Sequence, residues 1–235
     1  MLEENEIIRL NTLLRQAISD YQCLTTDEVK NKLNVFSSAK NLNSVIFYKM
    51  INCSENKEEI KRLLEKCHCI VKTVNLEWNN RLKESMSLKV FKYTDLVNED
   101  WENSSLRKYF EDNLFVFVVF QKTYSGSTLK DVKVWKMPHS ILDGGVKDVW
   151  EKTKQLVSEG KIVNYVDSRN RFITFFPTSS ETKFIHVRPH AQNSNDTLPL
   201  PVKDKYTGKD SFTKHSFWIN SNLIRRIVVE GKYYE

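Results

Sequence analysis

The sequence predicts an α/β fold in which helices flank a sheet, and three observations carry that prediction. Apolar residues Ile7, Ile8, Leu10, Leu13, Leu14, Ala17 and Ile18 recur at helical spacing near the N-terminus. Two runs rich in β-branched and aromatic residues, Cys69 to Val74 and Leu114 to Phe120, read as buried strands, the second as a central one. An amphipathic stretch from about Val146 to Glu159 stops at Gly160, a residue suited to a left-handed helix C-cap. A chain of 235 residues, 40% hydrophobic and 11% aromatic, can bury a sizeable core. With no internal repeat, low-complexity tract or strong interior boundary, a single domain over residues 1–235 is expected.

The remaining elements follow from local signals. Thr25 with Glu28 has the spacing of a capping box and opens a second short helix. Ala39 to Ile51 and Lys57 to Cys67 continue as amphipathic helices. Phe115, Phe117 and Phe120 lie in the central apolar run and belong to the core rather than to a base-stacking platform. Asp143-Gly144-Gly145 reads as a turn or helix entry, because two glycines alone are too weak a signal for a phosphate-binding loop. Short strands are expected around Ile173 and from Lys183 to Val187, then an aromatic strand from Ser216 to Ile219 and a closing helix from Leu223 to Val229. The polar stretch from Asn193 to Thr213 carries Pro199, Pro201, Gly208, Lys203, Lys205 and Lys209. It is long for a plain connection and reads as a binding loop.

A net charge of +6 and a pI near 9.0 fit a polyanionic partner but do not by themselves distinguish one. No apolar run approaches the length of a membrane span, and the N-terminus is acidic rather than a basic signal-peptide start, so a cytoplasmic protein with no membrane partner is expected. Cys23, Cys53, Cys67 and Cys69 follow no paired zinc-ligand spacing and are expected to be reduced, mostly buried thiols.

The segment from His186 to Ser194 is the most informative in the chain. It places Arg188 on a proline-stiffened turn after a short apolar strand. A guanidinium is a planar fork of five donors that can pair bidentately with O6 and N7 of guanine, and Pro189 fixes the following backbone without leaving an N–H to satisfy. A plain surface arginine capping a strand end is the rival reading.

In their order and spacing, Ala39–Lys40, Cys69 to Val74, Lys83 to Ser87, Trp101 to Ser104, Leu114 to Phe120, Val149 to Glu151, Val187 to Ser194 and Phe217 to Ile219 resemble the MutH-like nucleases. Within that family the likeness is to the C-terminal half of a type II restriction endonuclease that cuts at GATC. The resemblance implies a restriction-endonuclease-like α/β fold, a mixed β-sheet flanked by helices. Nucleases of this group use an acidic residue followed by Glu-x-Lys on a strand, so that carboxylates hold a divalent metal while the lysine helps position or activate water. Lys72 takes the place of that lysine, but Ile70 stands where the Glu belongs, Leu63 where the upstream Asp belongs, and Tyr48 near a further acidic position. Apolar side chains cannot supply the oxygen ligands that Mg²⁺ demands. By resemblance this domain has no catalytic residues and no cofactor, Lys72 is a relic or phosphate contact, and Mg²⁺ belongs to a catalytic domain elsewhere in the parent enzyme. Glu65 or Glu59 replacing the lost carboxylates is the alternative.

For DNA the resemblance implies more. Arg188 and Pro189 become the candidates for base readout, with His190 where a lysine is usual and Asn193 and Ser194 closing the motif. Lys40 matches a family lysine that approaches the recognition bases, although Asn41 replaces the glycine after it and limits close backbone approach. Trp218 matches a family aromatic near the adenine, an ordinary core aromatic being the rival, and Lys203, Lys205 and Lys209 are candidate phosphate contacts. The implied partners are double-stranded DNA containing GATC and the N-terminal catalytic domain of the same chain, this sequence being a piece of a longer enzyme. The implied role is that of a catalytically inactive allosteric effector. A diverged Mg²⁺-dependent endonuclease with relocated carboxylates, and a protein–protein module docking the catalytic domain, are the alternatives.

Overall fold

The structure is a computed structural model that describes residues 4–36 and 41–231. In chain order its elements begin with α1 (Glu4–Ile18), α2 (Thr26–Lys32), α3 (Leu42–Cys53), α4 (Lys57–Lys66), β1 (Cys69–Leu76), β2 (Met86–Val90), α5 (Tyr93–Asn98), α6 (Ser105–Asp112), β3 (Leu114–Thr123) and β4 (Gly126–Trp135). They continue with α7 (His139–Ile141), α8 (Lys147–Ser158), β5 (Val163–Val166), β6 (Phe172–Thr174), β7 (Ile185–Pro189), β8 (Thr197–Pro199), β9 (Ser211–Thr213), β10 (His215–Ile219) and α9 (Ser221–Arg225). The chain gathers into two compact units. Among the described residues the first draws on 4–36, 41–83, Phe110–Met137 and 225–231, the second on Glu84–Tyr109 and Pro138–Ile224.

The first unit is built on a mixed three-stranded sheet. β3 lies at its centre, parallel to β1 from Cys69↔Leu114 to Leu76↔Gln121 and antiparallel to β4 from Phe115↔Trp135 to Thr123↔Gly126. A strand covered on both faces needs a continuous apolar run, and Leu114 to Phe120 are all fully buried. On one face Leu114, Val116, Val118 and Phe120 pack with Leu10 and Leu14 of α1, Phe47 of α3 and Leu63 of α4. On the other, Phe115 stacks on Phe117 at 5.9 Å and lies 5.6 Å from Trp135. Each such burial contributes about 1.5–3 kcal/mol. The capping box before α2 forms as expected: the Thr25 hydroxyl accepts from the Glu28 amide while the Glu28 carboxylate accepts from the Thr25 amide at 2.7 Å. Ala39 and Lys40, expected in the third helix, lie outside the described residues.

The second unit holds an antiparallel sheet in the order β2-β10-β7 and two hairpins, β5-β6 and β8-β9. α8 ends as expected, with Gly160 in the left-handed region at φ +64°. The stretch from Asn193 to Thr213, expected to be a loop, holds a short β-hairpin. β8 pairs with β9 from Thr197↔Thr213 to Pro199↔Ser211, and the connection is tied by fully buried Asp204. That carboxylate accepts from the amides of Ile162 and Val163 at 3.0 Å and from the amide and hydroxyl of Thr207 at 2.9 Å. Burial works against its charge, but these hydrogen bonds together hold the Asp204 carboxyl below its ordinary pKa. A Cβ on Gly160 would run into the Lys203 carbonyl oxygen, so the helix cap and the hairpin tip require each other.

Three more expectations need correction. Arg188 and Pro189 are not a turn after the strand but its last residues, paired with Ser216 and His215. β10 supplies a neighbour that local sequence does not reveal, and proline is tolerated at a strand end. Of the cysteines only Cys67 is buried; Cys69 is half-buried and Cys23 and Cys53 are exposed, all four free. The closing helix starts earlier, at Ser221, and widens to π geometry over Arg226–Glu230.

Candidate nucleic-acid interface

β7 and β10 bring three of the sequence-selected residues together. Their antiparallel register sets Arg188 opposite Ser216 and His186 opposite Trp218, so these four share one face while Val187 and Phe217 point to the other. The Arg188 guanidinium lies over the Trp218 ring, 4.7 Å from its centroid. His190 follows the strand, its amide donating to the Lys214 carbonyl at 2.8 Å. Its imidazole stands 5.5 Å from the Trp218 ring and hydrogen-bonds through Nδ1 with Ser216 Oγ at 2.9 Å.

Arg188 is exposed, and among the described residues its side chain has no hydrogen bond or ion pair. Its fork is therefore held by an aromatic face and leaves its donors for a ligand. Trp218 is half-buried, and its indole N–H is buried without a partner among the described residues. Beneath the pair, buried His186 contacts Asn220 Oδ1 at 2.5 Å; burial, aided by the Arg188 charge, pushes its pKa down. Ser216 was missed from sequence, although its i, i+2 spacing from Trp218 on a strand was a usable signal.

Asn193 and Ser194 are exposed in the next bend. There Asn193 Oδ1 accepts from the Asn195 amide at 2.9 Å, and an Asp196–Lys214 ion pair clasps the bend to the approach of β10. The three loop lysines sit apart from this cluster. The amide of Lys205 donates to the Gly160 carbonyl at 2.7 Å, and Lys209 Nζ sits 5.0 Å from the Phe172 ring centroid, both at the tip of the β8-β9 hairpin. Lys203, Lys205 and Lys209 are all exposed.

Asn41 is exposed at the start of α3 in the first unit, where its carbonyl accepts from Ser44 and Val45, and Lys40 lies outside the described residues. Ile70 and Lys72 also belong to the first unit. In β1 they are in register with Phe115 and Phe117, the face away from α4, whereas Leu63 is sealed in the opposite core. The structure therefore does not bring Leu63 to Ile70 and Lys72. Neither position offers an oxygen. Glu59 is engaged by Arg9 through two hydrogen bonds at 3.0 and 3.1 Å, and Glu65 lines a surface cavity of about 360 Å³ with Tyr48, Lys61 and His68. Among the described residues no three His, Cys, Asp or Glu side chains converge to hold a metal ion. Mg²⁺ does not fit the residues around Lys72.

Residues 48–142 match the family model described as DNA mismatch repair enzyme MutH. Over 190 residues the chain is 32% identical to the type II restriction enzyme Sau3AI of Staphylococcus aureus, an alignment covering 70% of this chain and 39% of that enzyme. Residues 48–142 thus form a MutH-like segment. The match includes α4, β1 and β3, so the MutH-family segment proper contains Lys72 and the positions that lack carboxylates. Arg188, His190 and Trp218 lie C-terminal to it. The mixed sheet with β3 at its centre is consistent with a restriction-endonuclease-like fold, and the chain spans well under half of Sau3AI. Among the described residues no helix is long and apolar enough to cross a membrane.

Proposed function

We propose that this MutH-family domain is a sequence-specific binder of double-stranded DNA containing GATC, catalytically inactive by itself, acting as the allosteric effector of a type II restriction endonuclease. The observation that carries the reading is the exposed Arg188 guanidinium, without a hydrogen bond or ion pair among the described residues, held on the face of Trp218 beside Pro189 and His190. A fork so placed can pair with O6 and N7 of a guanine in the major groove. Asn193 and Ser194 follow it in the next bend, and Lys40 with Asn41 are candidates for base approach on the family resemblance alone. Lys203, Lys205 and Lys209 would add phosphate contacts that position the duplex without reading it.

The second support is the loss of the metal-binding set. Lys72 persists with Ile70 beside it and Leu63 turned into the core, so this domain holds no Mg²⁺; the ion belongs to the catalytic domain of the parent enzyme, N-terminal in the same chain. Binding of one GATC site here would then favour the active state of that catalytic domain. By linkage, DNA on the catalytic domain must tighten binding here by the same factor. The test is addition of the isolated domain, with Mg²⁺, to supercoiled DNA containing GATC. The expected result is binding without nicking. Mg²⁺-dependent nicking that disappears in Lys72→Ala would instead establish a diverged nuclease with relocated carboxylates. Salt-independent association with the catalytic half and no affinity for DNA would establish a protein-docking module.

A further inference from the structure

The long, flexible side chain of Arg188 emerges from the end of an edge strand, at a position where nothing in the backbone fixes the plane of its guanidinium. A bidentate contact with a base edge needs that plane to be fixed, because two parallel N–H bonds must be satisfied at once. Among the described residues no carboxylate, carbonyl or amide orients Arg188. The contact that does is the Trp218 ring, 4.7 Å away. Trp218 is itself immobilised. It is half-buried, pairs with His186 in β7 and with Ser87 in β2, and has the His190 imidazole 5.5 Å from its ring. His190 is held in turn by Ser216 Oγ at 2.9 Å. The guanidinium lies over one face of the ring, and the indole N–H is buried away from solvent.

We infer that Trp218 is a positioning residue for sequence discrimination: its ring holds the Arg188 guanidinium in the plane that reads guanine, and it contributes through that arginine rather than by touching a base. The inference rests on the proposed reading of Arg188. Cation–π stacking on tryptophan is stronger than on other aromatics, and a planar fork set in advance loses less freedom on binding. The flat face is what matters, so any aromatic of sufficient size at this position retains most of the function, and an aliphatic residue of similar burial does not.

The experiment is a double-mutant cycle read by fluorescence anisotropy on a GATC duplex and a base-permuted duplex of equal length, using the whole chain. Trp218→Leu should weaken GATC binding roughly 5- to 30-fold, equivalent to about 1–2 kcal/mol, and leave the permuted duplex unchanged. Trp218→Phe should restore most of the loss, and Trp218→Leu should add nothing once Arg188 is alanine. Thermal melting of each variant identifies any that fails to fold, for which Trp218→Phe supplies the comparison. Losses that add in the double variant, or a Trp218→Leu protein that loses both duplexes alike, overturn the inference while leaving the reading of Arg188 intact. Equal binding of the two duplexes by the unmodified protein overturns that reading and the inference together.

Discussion

Arg188 is the residue on which the proposed sequence-specific binding depends, and its surroundings give that proposal a definite signature. An exposed guanidinium with no hydrogen bond or ion pair among the described residues can be removed at little cost to folding. Arg188→Ala should therefore leave thermal stability within about 0.5 kcal/mol and cost on the order of 1–3 kcal/mol on the GATC duplex. Binding to the permuted duplex should barely change, and an equal loss on both would remove the assignment. Buried His215 makes a different prediction. Its Nδ1 lies 2.7 Å from the Thr213 carbonyl and 2.9 Å from the Tyr93 hydroxyl, and its Nε2 is buried without a partner. Burial pushes its pKa down from 6.5 to about 4. Between those values the unfolded chain binds the extra proton, so stability is full above pH 6.5 and falls as the solution is acidified towards pH 4. The loss should reach about 3 kcal/mol at most, and His215→Phe should flatten this dependence in thermal melts at stepped pH. A melting temperature that does not move over that range would contradict the buried neutral imidazole.

At the scale of elements, local signals were legible and long-range ones were not. The capping box and the helices read directly because their residues lie within a turn or two of one another. β4 escaped because its apolar residues break the two-residue period: Leu129 and Val132 lie three apart, the extra residue being taken up where Val119↔Asp131 is followed by Phe120↔Leu129 and Lys130 of β4 is left out of the pairing. The five-residue β2 exists through its pairing with β10, more than a hundred residues away, which no local pattern announces. In the same way Arg188 could be chosen from sequence, but the Trp218 face that holds it became visible only in the register of β7 with β10. The β8-β9 hairpin was mistaken for a loop because its organiser is a single buried carboxylate bonded to Ile162 and Val163, outside the segment. Asp204→Ala leaves those amides and Thr207 without their acceptor and should cost about 2–4 kcal/mol, measured by urea unfolding. A loss below about 0.5 kcal/mol, the range of ordinary surface changes, would show that the hairpin does not depend on it. On the same hairpin, alanine at Lys203, Lys205 or Lys209 should weaken GATC and permuted duplexes alike. Each should also reduce the slope of log affinity against log salt by about 0.9 for every phosphate that the lysine neutralises. An unchanged slope would take the hairpin tip off the phosphates.

For the whole molecule, the two halves of the account rest on different units. Lys72 lies in the first and the Arg188 cluster in the second, while the MutH match over residues 48–142 draws on both. Ile70 was legible from the sequence as a side chain that cannot ligate a metal, since an apolar group supplies no oxygen. That Leu63 faces the opposite core was not readable, because the side a helical residue presents to a sheet depends on packing. The central claim is that the chain reads sequence without cutting. It is tested most directly by fluorescence anisotropy of a labelled GATC duplex against a base-permuted duplex of equal length, at near-physiological salt with a non-catalytic divalent ion. The account predicts a preference for GATC of about tenfold or more, as one good bidentate base contact supplies. Equal, weak binding of both duplexes would contradict it and leave the Arg188 surface without a role in recognition.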